Sequence, residues 1–234
     1  MRYCFRDADR VFRAVTSTQD AAPLWQTDPM MIPSNYILTV SDLKKAHSIF
    51  RTKEPRDLFY RAATELVRLA LEDSNSSLPV ADALAVLLQT WNSAYYRFRK
   101  PDMKNHYRRI DSVYDKHRKT LSSVRCRTIE DLHDDEKPII KNIFRDFEVV
   151  LGPVGAAKAL HLLAPSFFPI WDRAVATKYK VTLGEAGTNA NRYWRFMEIA
   201  RFQCLKLKGK ISDSANLLKR IDEYNYCKFS RHWM

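Results

Sequence analysis

Two glycines and an aspartate form the part of the sequence best suited to chemistry. Gly152 and Gly155 lie three residues apart in a stretch that reads LGPVGAAKA, and Asp172 follows in FPIWD. Glycine permits backbone angles and close approaches that a β-carbon blocks. A glycine turn that leads into a helix presents unpaired N–H groups, which bind anions such as phosphate with help from the helix dipole. Asp172 supplies a carboxylate for a reaction, although aspartate is also a favoured helix cap.

The residues around the glycine pair predict a helical hairpin at 145–164. We expect a helix over about 136–151, a Gly-Pro-Val-Gly turn, and a second helix over 155–164. Val154 is expected to hold the turn in the core, and the carbonyl side of the turn is a possible site for a monovalent cation. An ordinary turn without any ligand is the alternative. The predicted anion contacts are Gly152, Val154, Gly155, Ala156, Ala157 and Lys158.

The net charge favours an anionic partner. The 234-residue chain has 39 Lys and Arg against 27 Asp and Glu, a formal net charge of +12. Such an excess is typical of proteins that bind nucleic acid, although a basic protein without such a partner is the alternative. The apolar runs are too short to span a bilayer, and the N-terminus lacks the apolar segment of a signal peptide. We expect a monomeric intracellular protein, cytoplasmic or nucleoid-associated, without membrane binding.

The cysteines do not predict a metal site. Four cysteines are widely separated and form no CxxC pair, which argues against a zinc site or an iron–sulfur cluster. Isolated cysteines of this kind fit a reducing compartment. We therefore expect no metal and no cofactor, apart from the possible monovalent cation at the turn.

Helical periodicity predicts an all-α fold. Only five glycines occur, and no segment has convincing strand periodicity. Residues 1–40 contain several prolines and are interpreted as an N-terminal extension of a helical domain over 41–234. Ser41 is expected to cap the first helix, and Ser212 or Asp213 the last. Between these ends we expect further helices over about 55–72, 80–98, 102–121, 172–181 and 189–207.

The hairpin and the aspartate together resemble the helix-hairpin-helix DNA glycosylases. The signature of that family is a hairpin, a turn rich in glycine and proline, and then a catalytic aspartate, and the stretch from Leu151 to Val175 is similar to it. The FPIWD stretch over 168–172 is especially similar to the adenine-mismatch branch. The LLQTWN stretch over 87–92 resembles the glutamine-containing helix that these enzymes press into the DNA stack. The resemblance implies a two-lobed helical fold, double-stranded DNA as the partner, and Asp172 as the catalytic residue.

The activity implied by this resemblance is hydrolysis of the bond between a base and its sugar. Asp172 would stabilise the positive charge that develops on the deoxyribose and would orient the attacking water. Relatives that also cut the DNA backbone have a lysine two residues after the second glycine, where this chain has Ala157. Lys158 lies about 100° further round the helix, so we expect it not to reach the same place. A monofunctional glycosylase without lyase activity is therefore expected.

Removal of a base from the stack requires a side chain that fills the gap and a pocket that receives the base. Gln89 and Asn92 are the candidate wedge residues, with an ordinary surface role as the alternative. Trp91 and Tyr95 lie on an apolar helix face, where a core role is the alternative, and His161 is interpreted as a core histidine. The candidate pocket residues are Trp91, Tyr95, Tyr96 and Trp171.

Two other functions fit the same residues. A non-catalytic DNA-binding protein would use the hairpin for phosphate contacts alone. An enzyme on the same scaffold would act on a modified nucleotide by a different transfer chemistry. The substrate stays open, because base excision in DNA repair and action on modified bases, such as those targeted in phage defence, are both compatible with the sequence. The basic run over 97–119 is either a solvated helix face or a surface that follows DNA.

Overall fold

Helices form the regular structure of the described residues. The computed structural model describes residues 36–73, 75–211 and 216–234, which contain helices and no strand. This confirms the predicted all-α fold class. Within these ranges, no helix combines the length and the apolar character needed to cross a bilayer. The α-helices are α1 (Val40–Lys53), α2 (Asp57–Glu72), α3 (Val80–Trp91), α4 (Ser93–Arg99), α5 (Met103–Arg125), α6 (Lys137–Leu163), α7 (Arg173–Lys178), α8 (Ala190–Leu207) and α9 (Leu217–Asn225).

Polar side chains set the ends of the first and last of these helices. The hydroxyl of Thr39 accepts the N–H of Asp42, whose carboxylate accepts the N–H of Thr39, so α1 begins with a capping box. The predicted cap Ser41 therefore lies inside α1. The side chain of Asn216 accepts the N–H of Lys219 and caps α9. The predicted caps Ser212 and Asp213 lie outside the described residues.

The predicted helix over 80–98 is divided into α3 and α4. Asn92 leaves the helical backbone region, with φ of −120° and ψ of 28°, so α3 ends at Trp91 and α4 begins at Ser93. Two short 3-10 turns, Ile129–Asp131 and Asp134–Glu136, separate α5 from α6, and a π-helical turn, Tyr226–Ser230, follows α9.

The core is built around α3 and α6. Leu84 and Leu88 of α3 and Phe144 of α6 are fully buried. Helix α2 packs along α3, α8 packs along α6, and α1 packs against α9. Tyr36 and Leu38 are also buried, so the residues directly before α1 pack into the same core.

Candidate functional site

The glycine turn is a single break within α6. Gly152 has φ of 70° and ψ of 168°, and Pro153 follows at the start of the next helical segment. Glycine tolerates this left-handed conformation, and proline suits a first helical position. The helical segments therefore run over 137–151 and 153–163, and the break is tighter than the predicted turn. Glycine at position 155 avoids a steric clash, because a β-carbon there would lie 2.7 Å from Nδ2 of Asn92.

Carbonyl groups at the break are bonded to side chains of the α3–α4 segment. The hydroxyl of Tyr95 donates to the carbonyl of Val150 (2.6 Å), and Nδ2 of Asn92 donates to the carbonyl of Leu151 (3.4 Å). These bonds satisfy acceptors that the end of a helix leaves unpaired. A monovalent cation bound through these two oxygens would have to compete with both hydrogen bonds.

The predicted anion contacts differ in their accessibility. Gly152 and Val154 are half-buried, whereas the positions from Gly155 to Lys158 are buried. Val154 therefore does not hold the turn in the core as expected. Instead, Nε1 of the fully buried Trp171 donates to the carbonyl of Pro153 (3.0 Å).

Asp172 lies directly after the tryptophan that holds the turn. Its Oδ1 accepts the N–H of Val175 (2.8 Å) and so caps α7, and its Oδ2 accepts the hydroxyl of Ser230 (2.6 Å). The residue is half-buried. The carboxylate is therefore held between its own helix and the C-terminal segment, in a defined position relative to the turn.

Lys158 points into the protein. It is only 7% exposed, and its ammonium donates to the carbonyl of Trp91. Burial lowers the pKa of Lys158 to about 8, although the carboxylates of Asp172 and Asp222 act in the opposite direction. Lys158 is therefore not placed to meet a phosphate outside the turn. The negative charge of Asp172 nevertheless favours the charged form of Lys158.

Asp222 on α9 completes a charge cluster with Lys158 and Asp172. Burial raises the pKa of Asp222 to about 6, and this effect is partly offset by the ammonium groups of Lys219 and Lys158. The carboxylate of Asp172 also contributes to this rise. Charges interact strongly when little water separates them, so a change of protonation at one member alters the others. Groups with shifted pKa values that influence one another are commonest at functional sites.

Lys219 lies beside this charge cluster. Its ammonium is 4.2 Å from the ring centroid of Phe50 and 4.7 Å from that of Tyr60. Cation–π and ionic contacts offset the loss of water around a buried charge. The ammonium has no hydrogen-bond partner among the described residues. It lies 3.5–3.8 Å from three carboxylates, those of Asp57, Asp222 and Glu223. A recess of about 250 Å³ opens over it, lined also by His47, Asp57, Tyr60, Arg61, Asn216, Arg220 and Glu223.

The predicted wedge and pocket residues are mostly packed into the protein. Asn92 is buried against Gly155 and supports the turn. Gln89 is exposed and donates to the hydroxyl of Tyr107 (3.0 Å). Of the two predicted wedge residues, Gln89 alone lies at the surface. Of the aromatic candidates for the pocket, Trp91 and Tyr95 are half-buried, whereas Tyr96 and Trp171 are buried.

His161 is a buried histidine, as predicted. Its Nε2 lies 2.9 Å from the hydroxyl of Tyr60, and its Nδ1 lies 2.8 Å from the carbonyl oxygen of Phe168. Burial lowers the pKa of His161 to about 4, so the ring is neutral at physiological pH. The ring therefore links α2 to the segment that leads to Asp172.

Sequence reasoning missed the contribution of the C-terminal residues. Lys219, Asp222 and Glu223 follow one another at i, i+3 and i+4, the usual spacing of ion pairs on a solvated helix face. In the structure all three are buried. The apolar residues Leu218 and Ile221, interleaved with them, were the signal that this part of α9 lies inside the protein.

No candidate metal centre accompanies this cluster. Within the described ranges, no group of three or more His, Cys, Asp or Glu side chains is arranged to hold a metal ion. Comparisons of the chain with protein-family models, curated proteins and solved structures found no match.

Proposed function

We propose that the protein is a DNA glycosylase with a two-lobed helix-hairpin-helix fold, in which Asp172 acts on the bond between a flipped base and its sugar. One observation carries the proposal. The carboxylate of Asp172 is anchored next to a glycine turn, because the preceding residue, Trp171, donates a hydrogen bond to the carbonyl of Pro153. A turn that holds a phosphate would thereby bring the adjacent sugar towards this carboxylate.

The reaction is hydrolysis. The base leaves with the electron pair of the N-glycosidic bond and takes up a proton, and water supplies the hydroxyl that bonds to the sugar carbon. Positive charge develops on the sugar as the bond breaks, and a fixed carboxylate stabilises that charge. The hydrogen bonds from Val175 and Ser230 hold the carboxylate of Asp172 in one orientation. Such preorganisation avoids reorientation during the reaction.

Lys158 contributes charge rather than a covalent bond in this proposal. Its ammonium donates to the carbonyl of Trp91, and 7% exposure leaves little room for a sugar carbon to approach. The absence of lyase activity is therefore still expected, although the reason is burial and hydrogen bonding rather than the angular offset. Borohydride treatment tests this point, because a covalent adduct that depends on Lys158 would contradict it.

Double-stranded DNA is the proposed partner of a monomeric protein. The formal charge of +12 favours association with a polyanion. Extrusion of a base is easiest at a damaged or mismatched position, which fits an enzyme that acts on altered bases in repair or in defence against modified DNA.

A panel of duplex oligonucleotides with altered bases tests the activity. Alkali converts an abasic site into a strand break, so breaks should appear with the wild-type protein and disappear with Asp172→Asn. Asparagine also caps helices, so this variant should keep its thermal stability. Asp102→Asn is the matched control, because Asp102 caps α5 through the N–H of Lys104 and should tolerate the change without loss of excision.

A non-catalytic DNA-binding function is the second candidate. It is favoured by the fact that both carboxylate oxygens of Asp172 already accept hydrogen bonds. This function predicts DNA binding that Asp172→Asn leaves unchanged, with no abasic sites on any oligonucleotide of the panel.

A further inference from the structure

Phe98 is the most exposed large apolar side chain among the described residues. It is 75% exposed, in the last turn of α4. The other two aromatic residues of this helix are packed, since Tyr96 is 9% exposed and Tyr95 is half-buried. An aromatic ring in water forgoes the stabilisation that burial would provide. The core therefore does not account for Phe98.

Positive charge surrounds this ring. The guanidinium of Arg97 lies 4.8 Å from its centroid, and Arg99 and Lys100 follow it in the chain. All three basic residues are exposed. Between residues 97 and 109, six residues are basic and one is acidic. That acidic residue, Asp102, uses its carboxylate to cap α5.

The backbone and the packing fix this segment beside the glycine turn. Lys100 ends α4 in the left-handed region, with φ of 42° and ψ of 53°, a conformation that non-glycine residues seldom adopt. The ring of Tyr95 lies against Gly152, and its hydroxyl bonds the carbonyl of Val150. Phe98 is three residues further along the same helix, about 4.5 Å along its axis. The exposed ring therefore lies within about one helical turn of the residue that contacts the glycine turn.

We propose that the Arg97–Lys100 segment is a nucleic-acid contact in which Phe98 stacks on bases and the three cations bind phosphates. The inference deepens the proposed function and rests on DNA being the partner. Proteins that bind unstacked bases combine aromatic platforms with a basic surface. DNA with a disrupted base pair fits this segment, because an unpaired position exposes the base faces that an aromatic ring contacts.

An anionic membrane is the other partner that charge and an exposed ring suggest. Interfacial helices bury a continuous apolar face. Helix α4 has seven residues and exposes one apolar ring among three cations, while its other aromatic residues are packed inside. Nucleic acid therefore fits this arrangement better than a lipid surface.

Fluorescence anisotropy tests the inference with two labelled duplexes, one fully paired and one with a single unpaired position. Stacking on one base is worth roughly 5- to 150-fold in affinity, so Phe98→Ala should weaken binding to the disrupted duplex by a factor in this range. Phe98→Trp should retain the affinity, and Phe98→Leu should lose most of it, because leucine lacks a π face. Leu58→Ala is the matched control, since Leu58 is 57% exposed on α2.

The contribution of the three cations is measured separately, from the salt dependence of DNA binding. Replacement of Arg97, Arg99 and Lys100 by glutamine should lower the slope of log K against log salt by up to about 3, since each phosphate contact contributes about 0.9. Fluorescence of 2-aminopurine next to the unpaired position reports stacking directly, and its change on binding should disappear in Phe98→Ala.

The outcomes distinguish this inference from the proposed activity. Equal affinities for wild type and Phe98→Ala, or equal losses in Phe98→Leu and Phe98→Trp, would overturn the stacking contact. Loss of binding to phosphatidylserine vesicles in Phe98→Ala, with DNA binding unchanged, would also overturn it and assign the segment to a membrane. Stacking that depends on Phe98 in a protein that makes no abasic sites would support the contact while the proposed excision fails.

Discussion

Replacement of Lys158 by methionine should stabilise the protein at neutral pH. Burial lowers the pKa of Lys158 to about 8 in the folded protein, from 10.5. Each pKa unit corresponds to about 1.4 kcal/mol, so holding this charge in the folded state costs about 3 kcal/mol at pH 7. Methionine keeps most of the length of the side chain and removes the charge. The variant loses the hydrogen bond to the carbonyl of Trp91, worth about 1–2 kcal/mol, so a net gain of about 1–2 kcal/mol is expected.

The pH dependence of this effect gives the sharper test. Between pH 8 and pH 10.5 the unfolded chain keeps the proton that folded Lys158 has lost, so wild-type stability rises with pH relative to the variant. Urea unfolding at pH 7 and pH 10 should show the difference between the two proteins shifting by about 2–3 kcal/mol in favour of the wild type. Lys44→Met, at an exposed position, is the control and should show no such shift. A difference that is the same at both pH values would refute the reasoning, as would a loss of several kcal/mol at pH 7.

Two further predictions concern the turn and the buried histidine. Gly155→Ala should destabilise the protein by about 1–3 kcal/mol in urea unfolding, because the new β-carbon would lie 2.7 Å from Nδ2 of Asn92 and 2.9 Å from Cβ of Leu151. Part of this loss should disappear in an Asn92→Ala background, and an undiminished loss would argue against the contact. The pKa of His161 is lowered to about 4 in the folded protein. As the pH falls, the unfolded chain therefore binds a proton at this residue before the folded protein does. Up to about 3 kcal/mol of stability should be lost in this way between pH 7 and pH 4. His161→Gln should flatten this dependence in thermal unfolding, and an unchanged slope would contradict the assignment.

The sequence predicts the helices well because their signals are local. Apolar periodicity and the Gly-Pro pair place the ends of the two segments of α6 within a few residues, and Asp172 caps the start of α7 as expected. The division between α3 and α4 was not predictable in this way. Asn92 interrupts a run of good helix formers, and its conformation is accompanied by bonds to a carbonyl 59 residues away in the chain. Such long-range bonds leave no periodic signal.

Only part of the candidate site was predictable, because only some of its residues are close together in the sequence. Asp172 and the glycines are neighbours in sequence, whereas the partners of Lys158 come from α3, α7 and α9. The rotation of 100° per residue gives the direction of the Lys158 side chain relative to α6 alone. It does not tell which side of α6 the other helices cover, and that packing buries the ammonium against the carbonyl of Trp91. The burial of the charged residues on α9 was not predicted for a similar reason, since it depends on contact with α1 at the other end of the described chain.

The relation between the turn and the carboxylate depends on Trp171 more than on the length of chain between them. Trp171 packs against the rings of Phe144, Tyr193 and Phe196, with centroid distances of 5.9, 5.2 and 5.7 Å, and its Nε1 bonds the carbonyl of Pro153. Because Asp172 is the next residue, its carboxylate is fixed with respect to the turn by one buried side chain.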